Sequence, residues 1–169
     1  MSLSIYQLTI PAILRGFDVL GTYIEKAADY ARANNLDPDS IIQARLAPDM
    51  LTFAGQIQRA SDKSKAGVTR LTGAEAPRFE DNEVTFDDLQ ARIAKTVHFL
   101  KAVPEISFVG AENKPIEIKF RSAGGLFTGE TYLTGILLPD FYFHVATAHA
   151  ILRSKGVPIG KTDYLGRVF

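Results

Sequence analysis

The stretch from Pro139 to Gly156, PDFYFHVATAHAILRSKG, leaves little choice of local structure. Pro139 suits a first helical turn because its missing N–H would be unbonded there anyway, and Asp140 complements the positive end of a helix. Arg153 and Lys155 complement the negative end, and Gly156 suits the residue just past it. At about 100° per residue, Phe141, Val145, Ala148 and Leu152 fall within about 60° of one another, so the helix carries one apolar stripe that must be buried. His144 lies on one shoulder of that stripe and His149 on the other.

A striped helix needs other helices to cover it, and three more segments have the same period. Between Ser4 and Ala33 the apolar residues Ile10, Ile13, Leu14, Phe17, Leu20, Ile24, Ala28 and Ala31 recur every three or four positions. Pro11 sets either the start of that helix or a kink in it. A second helix is expected from Pro48 or Asp49, with Met50, Phe53, Ala54, Ile57, Ser61, Val68 and Leu71 on its inner face. A third begins at Thr85, where Asp88 three residues on forms a capping box. It carries Phe86, Leu89, Ile93, Val97 and Leu100 as its stripe, puts His98 towards solvent, and ends before Pro104. Between the second and third helices, residues 72–85 are rich in turn formers and acids without a period, as a connecting loop is. Ile41 to Leu46 is too short to assign and reads as a brief strand or a helical turn.

One segment has the other period. In Pro115 to Ser122, Ile116, Ile118 and Phe120 alternate with Glu117, Lys119 and Arg121, as in a half-buried strand. Ala123, Gly124 and Gly125 supply a turn, and Phe127 to Leu133 is the expected partner strand. The tail from Gly160 to Phe169 carries Tyr164, Leu165 and Phe169, which are expected to dock on the domain or on a second subunit. The expected fold is therefore mainly α, a four-helix bundle with a small β-hairpin inserted before the last helix, in a single domain spanning residues 1–169.

Composition narrows the function. Lys plus Arg and Asp plus Glu number 19 each, so no basic footprint for nucleic acid or for a membrane surface exists. The chain has no cysteine, which excludes disulfides, thiolate ligands and a cysteine nucleophile. The opening MSLSIYQLTIPAILRGF has neither a basic leader region nor a small-residue cleavage site, and a cytoplasmic protein is expected.

The candidate chemistry lies on the last helix. His144 and His149 are candidate ligands for zinc, nickel or iron, but at i and i+5 they stand about 140° apart, which works against a shared ion. Asp140 and His144, four apart, share a face. The carboxylate there orients the imidazole, or else only caps the helix. Tyr142 lies on the His149 side and offers a hydroxyl to the same cavity. On the second helix Gln56 and Gln58 stand with Arg59 and Asp62. Gln58, if it faces the last helix, is placed to bond His144 or hold a ligand. No phosphate-loop pattern and no serine elbow is present.

The runs IYQLTIPAILRGFDVL, LAPDMLTFAGQIQRASDKSK and LPDFYFHVATAHAILRSKGV, with the GKTDYLG tail, resemble the bacterial DUF1993 family over essentially the whole chain. That family is grouped with the DinB/YfiT-like four-helix bundles, many of them homodimers that bind a divalent metal through three histidines. The resemblance thus implies a DinB-like fold, a homodimer and an ancestral metal site. The DinB pattern has one histidine on the second helix and an HxxxH pair on the last. This chain has no histidine between Asp49 and Leu71, and Ala148 stands at the i+4 position from His144, so only His144 transfers, with His149 as a displaced substitute.

Three readings follow. The first is a cytoplasmic DinB-like homodimer, without nucleic-acid or membrane partners, that binds a small molecule near His144 with Gln58, Tyr142 and His149 and holds no metal. The second is a degenerate divalent-metal enzyme of hydrolase or thiol-transferase type that retains His144 and uses carboxylate or glutamine oxygens with water, His144 and Asp140 being its catalytic candidates. The third is a non-catalytic structural or interaction protein.

Overall fold

The computed structural model of the chain describes residues 3–119 and 124–166. Four long helices surround one core. Helix α1 spans Ile5–Ala33, the short α2 spans Asp39–Ile42, α3 spans Phe53–Thr72 and α4 spans Phe86–Ala102. Two 3-10 turns, Glu105–Phe108 and Ala111–Asn113, lead to strands β1, Pro115–Lys119, and β2, Gly124–Thr128. A further helical run passes from α5, Gly129–Tyr132, through a π-helical stretch, Leu133–Leu137, into α6, Leu138–Ser154. The last helix is α7, Lys161–Leu165. Around the ring, α1 packs on α4 and α6, and α3 packs on the same two. The fold is mainly α, with one two-stranded antiparallel hairpin among the described residues.

Most boundaries follow from who satisfies the free N–H groups of a first turn. The Ser4 hydroxyl accepts from Gln7 N at 3.1 Å and the Gln7 side-chain oxygen accepts from Ser4 N at 3.0 Å, so α1 starts before Pro11 and runs through it. The second long helix begins at Phe53 and not at Pro48 or Asp49, because Thr52 supplies the cap, accepting from Gly55 N at 3.0 Å. Met50 is consequently half-buried outside the helix, while Phe53, Ala54, Ile57, Ser61, Val68 and Leu71 are buried as expected. Thr85 and Asp88 do form the capping box of α4. Ile41 and Ile42 are buried in a helical turn.

The hairpin and the last helix depart from the sequence reading. Pairing runs from Pro115 opposite Thr128 to Lys119 opposite Gly124, with Ile116 and Ile118 inward. The partner strand thus ends where Phe127–Leu133 was expected to be extended. Thr128 caps a helix instead, its hydroxyl accepting from Thr131 N at 3.3 Å. Helical structure therefore begins ahead of Pro139, and Pro139, which has no N–H for the Gly135 carbonyl, is the second residue after the π stretch. The expected turn residue Ala123 and the strand residue Phe120 lie outside the described residues, as does Phe169. The described part of the tail, residues 160–166, docks on α1, where Lys26 Nζ lies 2.6 Å from Asp163 Oδ1 and Arg15 Nη1 donates to Leu165 O at 3.0 Å.

Two glycines set how closely α6 approaches its neighbours. A Cβ on Gly16 of α1 would overlap the buried Phe141 ring, and one on Gly67 of α3 would overlap the buried Leu137 side chain. Alanine at either site gains about 1 kcal/mol of helix propensity but overpacks the core by about 1–3 kcal/mol. Gly16→Ala and Gly67→Ala are therefore expected to lower the unfolding free energy by up to about 2 kcal/mol in urea titrations. Gly135→Ala, with nothing within 4 Å of the added carbon, is expected to leave it unchanged or raise it.

Candidate functional site

His144 is buried between α3 and α6, and its two ring nitrogens have different partners. Nδ1 lies 2.7 Å from Gln56 Oε1, and the Gln56 amide is oriented by Nε2 donating to Leu51 O at 3.3 Å. An amide oxygen only accepts, so Nδ1 carries the proton. Nε2 stands 3.3 Å from Asp140 Oδ1, one helical turn earlier, and Lys63 Nζ lies 2.8 Å from the other Asp140 oxygen. The His144 contact, helped by the Lys63 ammonium, holds the Asp140 carboxyl below the usual carboxylate range against the burial that would raise it. Asp140 and Lys63 are partly exposed, and Phe143, its ring edge-on to His144 at 5.4 Å, is 58% exposed. The arrangement can hand a proton between Nε2 and a molecule at the Asp140 carboxylate, or hold that molecule by ionic hydrogen bonds.

The other residues singled out in the sequence do not gather there. Gln58, two positions from Gln56, is turned away from His144 and donates to Glu83 Oε2 at 2.8 Å; the amide that faces His144 is Gln56. Tyr142 points to α1 and not to His149, its hydroxyl donating to Ala12 O at 2.8 Å and accepting from Arg15 Nη2 at 3.2 Å. His149 Nδ1 shares a 2.9 Å hydrogen bond with Tyr23, and its ring lies edge-on to Tyr164. Burial, assisted by Arg153, pushes the His149 imidazole below its usual value against the pull of Asp163, while burial pushes the Tyr23 phenol up. His98 is exposed. Among the described residues, clefts of 360–550 Å³ open at places that include the start of α1 and the loop after α3, and those clefts are not lined by His144, Gln58, Tyr142 or His149.

A second polar cluster contains Gln58, Arg59 and Asp62, which the sequence reading grouped together, but is centred on Arg92, which it did not single out. The Arg92 side chain is 1% exposed. Its Nη2 lies 2.9 Å from Asp62 Oδ1, and its Nη1 reaches Glu83 Oε1 at 2.8 Å, Asp81 Oδ1 at 3.0 Å and Glu80 O at 3.0 Å. Arg59 joins Asp62 and Asp81, and Lys65 sits 3.7 Å above the Phe79 ring, next to Asp62 and Pro77 O. Burial pushes the Lys65 amine down against the opposing pull of Asp62. Burial would likewise raise the Glu83 carboxyl, but hydrogen bonds from Arg92 and Gln58 outweigh it and hold it below its usual range. Three cations and three carboxylates thus pin the aperiodic loop after α3 onto α3 and α4. The legible signal was Arg92 on the shoulder of the α4 stripe, about 60° from Leu89, downstream of a loop rich in acids.

The donor set at His144 does not fit a three-histidine metal centre. Among the described residues no three His, Asp or Glu side chains form a group able to hold an ion. The α3 residue facing His144 is an amide, Ala148 stands one turn beyond it, and the Lys63 ammonium lies where it repels a dication.

A family model described as a domain of unknown function, DUF1993, matches residues 5–165. The chain belongs to the DUF1993 family. The crystal structure of a DinB family member from Shewanella denitrificans is similar to it at 36% identity and a TM-score of 0.89, over 96% of this chain and 92% of that one. No curated protein matches the chain. In this DUF1993 member Gln56 and His144 bring α3 and α6 together at one polar contact, and the Asp140–Lys63 pair gives that contact an outer, solvent-reaching edge.

The Arg92 cluster makes a pH prediction with a definite sign. A carboxyl held below its ordinary value of 4.5 contributes stability that is present above that value and is lost as pH falls through the folded one. Glu83→Gln is expected to flatten the stability profile below about pH 5. Arg92→Met, which strands the partly buried carboxylates, is expected to cost about 2–4 kcal/mol and to expose residues 73–85 to limited proteolysis at neutral pH.

Proposed function

We propose that this DUF1993 protein is a DinB-like small-molecule-binding protein that works without a resident divalent metal, its ligand contacting Nε2 of His144, Asp140 and Lys63 at the lip between α3 and α6. The carrying observation is the 2.7 Å contact from His144 Nδ1 to Gln56. It turns one nitrogen inward as a fixed donor and leaves the other beside a carboxylate and an ammonium that reach solvent. Tying back one ring nitrogen is how a histidine is oriented for work at the other. Exposed Phe143 adds an apolar wall, so the ligand class is a small molecule with one polar group and an aromatic or apolar body.

The protein is proposed to act as a cytoplasmic homodimer. Leu51, whose carbonyl holds Gln56, and Phe143, beside His144, are 44% and 58% exposed at this lip, which fits burial by a second copy. A second copy there would also enclose a site that one chain leaves open. The run Gly129–Ser154 has the length and mean hydropathy, 1.2, of a membrane span, but Phe141, Val145, Ala148 and Leu152 pack inside the bundle, which supports a reading without a membrane partner.

One distance favours the second reading, a degenerate metal-dependent enzyme: His144 Nε2 and Asp140 Oδ1, 3.3 Å apart, are spaced like two neighbouring ligands of one ion. Elemental analysis after metal-replete expression separates the two, with less than stoichiometric metal expected; one tightly held zinc or nickel per chain, lost in His144→Ala, would replace the binding reading by the enzymatic one. In a fragment screen by NMR, aromatic fragments with a single polar group are expected to shift the His144 and Phe143 resonances in the native protein and not in Asp140→Asn. Fragments that bind only elsewhere would remove the site. Sedimentation is expected to give a dimer that Phe143→Glu dissociates, and a concentration-independent monomer would end the dimer claim.

A further inference from the structure

At the end of the bundle that holds the start of α1, a groove of about 490 Å³ lies between Leu3–Leu8, the turn Glu105–Gly110 and the beginning of α5. Its wall is apolar and its rim acidic. Tyr6 and Phe108 meet edge-to-face at 5.4 Å, and Leu3 and Val109 stand 68% and 76% exposed beside them. Ile106, next to the groove in the chain, is 74% exposed. Around these side chains stand Glu105, Glu112 and Glu130, and no Lys, Arg or His lines the groove.

Among the described residues none of the three carboxylates makes an ion pair, and the one side-chain contact is Asn113 Nδ2 to Glu112 at 3.5 Å. Each glutamate lies in the first turn of a short helical segment, where a negative charge is favourable. That role accounts for the glutamates but not for the large apolar side chains left in water among them.

We propose that this groove binds a small organic cation with an apolar body. Phe108 is buried and Tyr6 half-buried, so the aromatic part of the wall is the Tyr6 ring. An aromatic ring and carboxylates without an ion pair among the described residues, around one hollow, are two features that recognise such a cation, through the ring quadrupole and through charge. Size selects a small molecule over a protein partner. The volume lies in the range of about 300–1,000 Å³ typical of small-ligand sites, whereas a stable protein interface needs roughly 800 Å² from each side. The site lies apart from His144, which the groove does not include, so its test is independent of the reading above.

Benzyltrimethylammonium serves as the probe, with benzyl alcohol and benzenesulfonate as neutral and anionic controls of similar shape. In amide-resolved NMR titrations the cation is expected to shift Tyr6, Phe108, Val109 and Gly110 saturably and to bind at least about tenfold more tightly than either control. The variant Glu105→Gln/Glu112→Gln/Glu130→Gln changes only exposed side chains and is expected to stay folded while losing about tenfold in affinity. Val109→Lys, which places a fixed cation at the rim, is expected to abolish binding. Equal binding of all three probes, unchanged binding by the triple variant, or no shift at about 10 mM probe overturns the proposal.

Discussion

The contact between α3 and α6 is the constraint on which the rest of the molecule depends. These helices meet closely because Gly67 has no side chain where Leu137 lies, and α1 closes on the other side of α6 because Gly16 has none where Phe141 lies. Close approach is what lets a residue as short as glutamine span from α3 to the imidazole of α6 at 2.7 Å. A methyl group on Gly67 would overlap Leu137 and one on Gly16 would overlap Phe141, so either substitution forces the packing around this helical run to shift. Packing and polar geometry are thus one feature here.

The buried polar groups divide into two kinds by what surrounds them. His144, Asp140 and Lys63 form a short chain that runs from the core to solvent, with one charge partner at each step. Arg92 is the opposite case, a charge drawn inward and met by carboxylates from α3 and from the loop after it. Taking a guanidinium out of water is unfavourable unless its donors are matched, and here only Nε lacks a partner. The cluster does what apolar residues do elsewhere in the bundle, since the loop has almost none to contribute. A polar chain that ends at the surface is suited to binding; one closed on itself is suited to holding structure.

Local rules explain which features were legible from the amino-acid order. Stripes such as Phe141, Val145, Ala148 and Leu152 were readable because a helix repeats its contacts every 3.6 residues, and the Thr85–Asp88 cap because its partners lie three residues apart. The i,i+4 pair Asp140–His144 was readable for the same reason. The start of the last helix was missed because Phe127–Leu133 has strand-like composition, and the Thr128 cap overrides it. Gln56 and Gln58 could not be told apart without knowing the rotation of α3: they differ by about 200° around the helix axis, and one meets His144 while the other meets Glu83.

By itself, then, the sequence determined the four helices, their inner faces, the presence of a hairpin and the candidacy of His144, all of which depend on neighbours within a few residues. The tertiary structure alone decided which glutamine completes the site, that His149 and Tyr142 turn to α1, and that Arg92 is buried among carboxylates from as far as Asp62. Each of these depends on helix rotation and on contacts across 30 to 130 positions of chain, and no periodicity in the sequence encodes that distance.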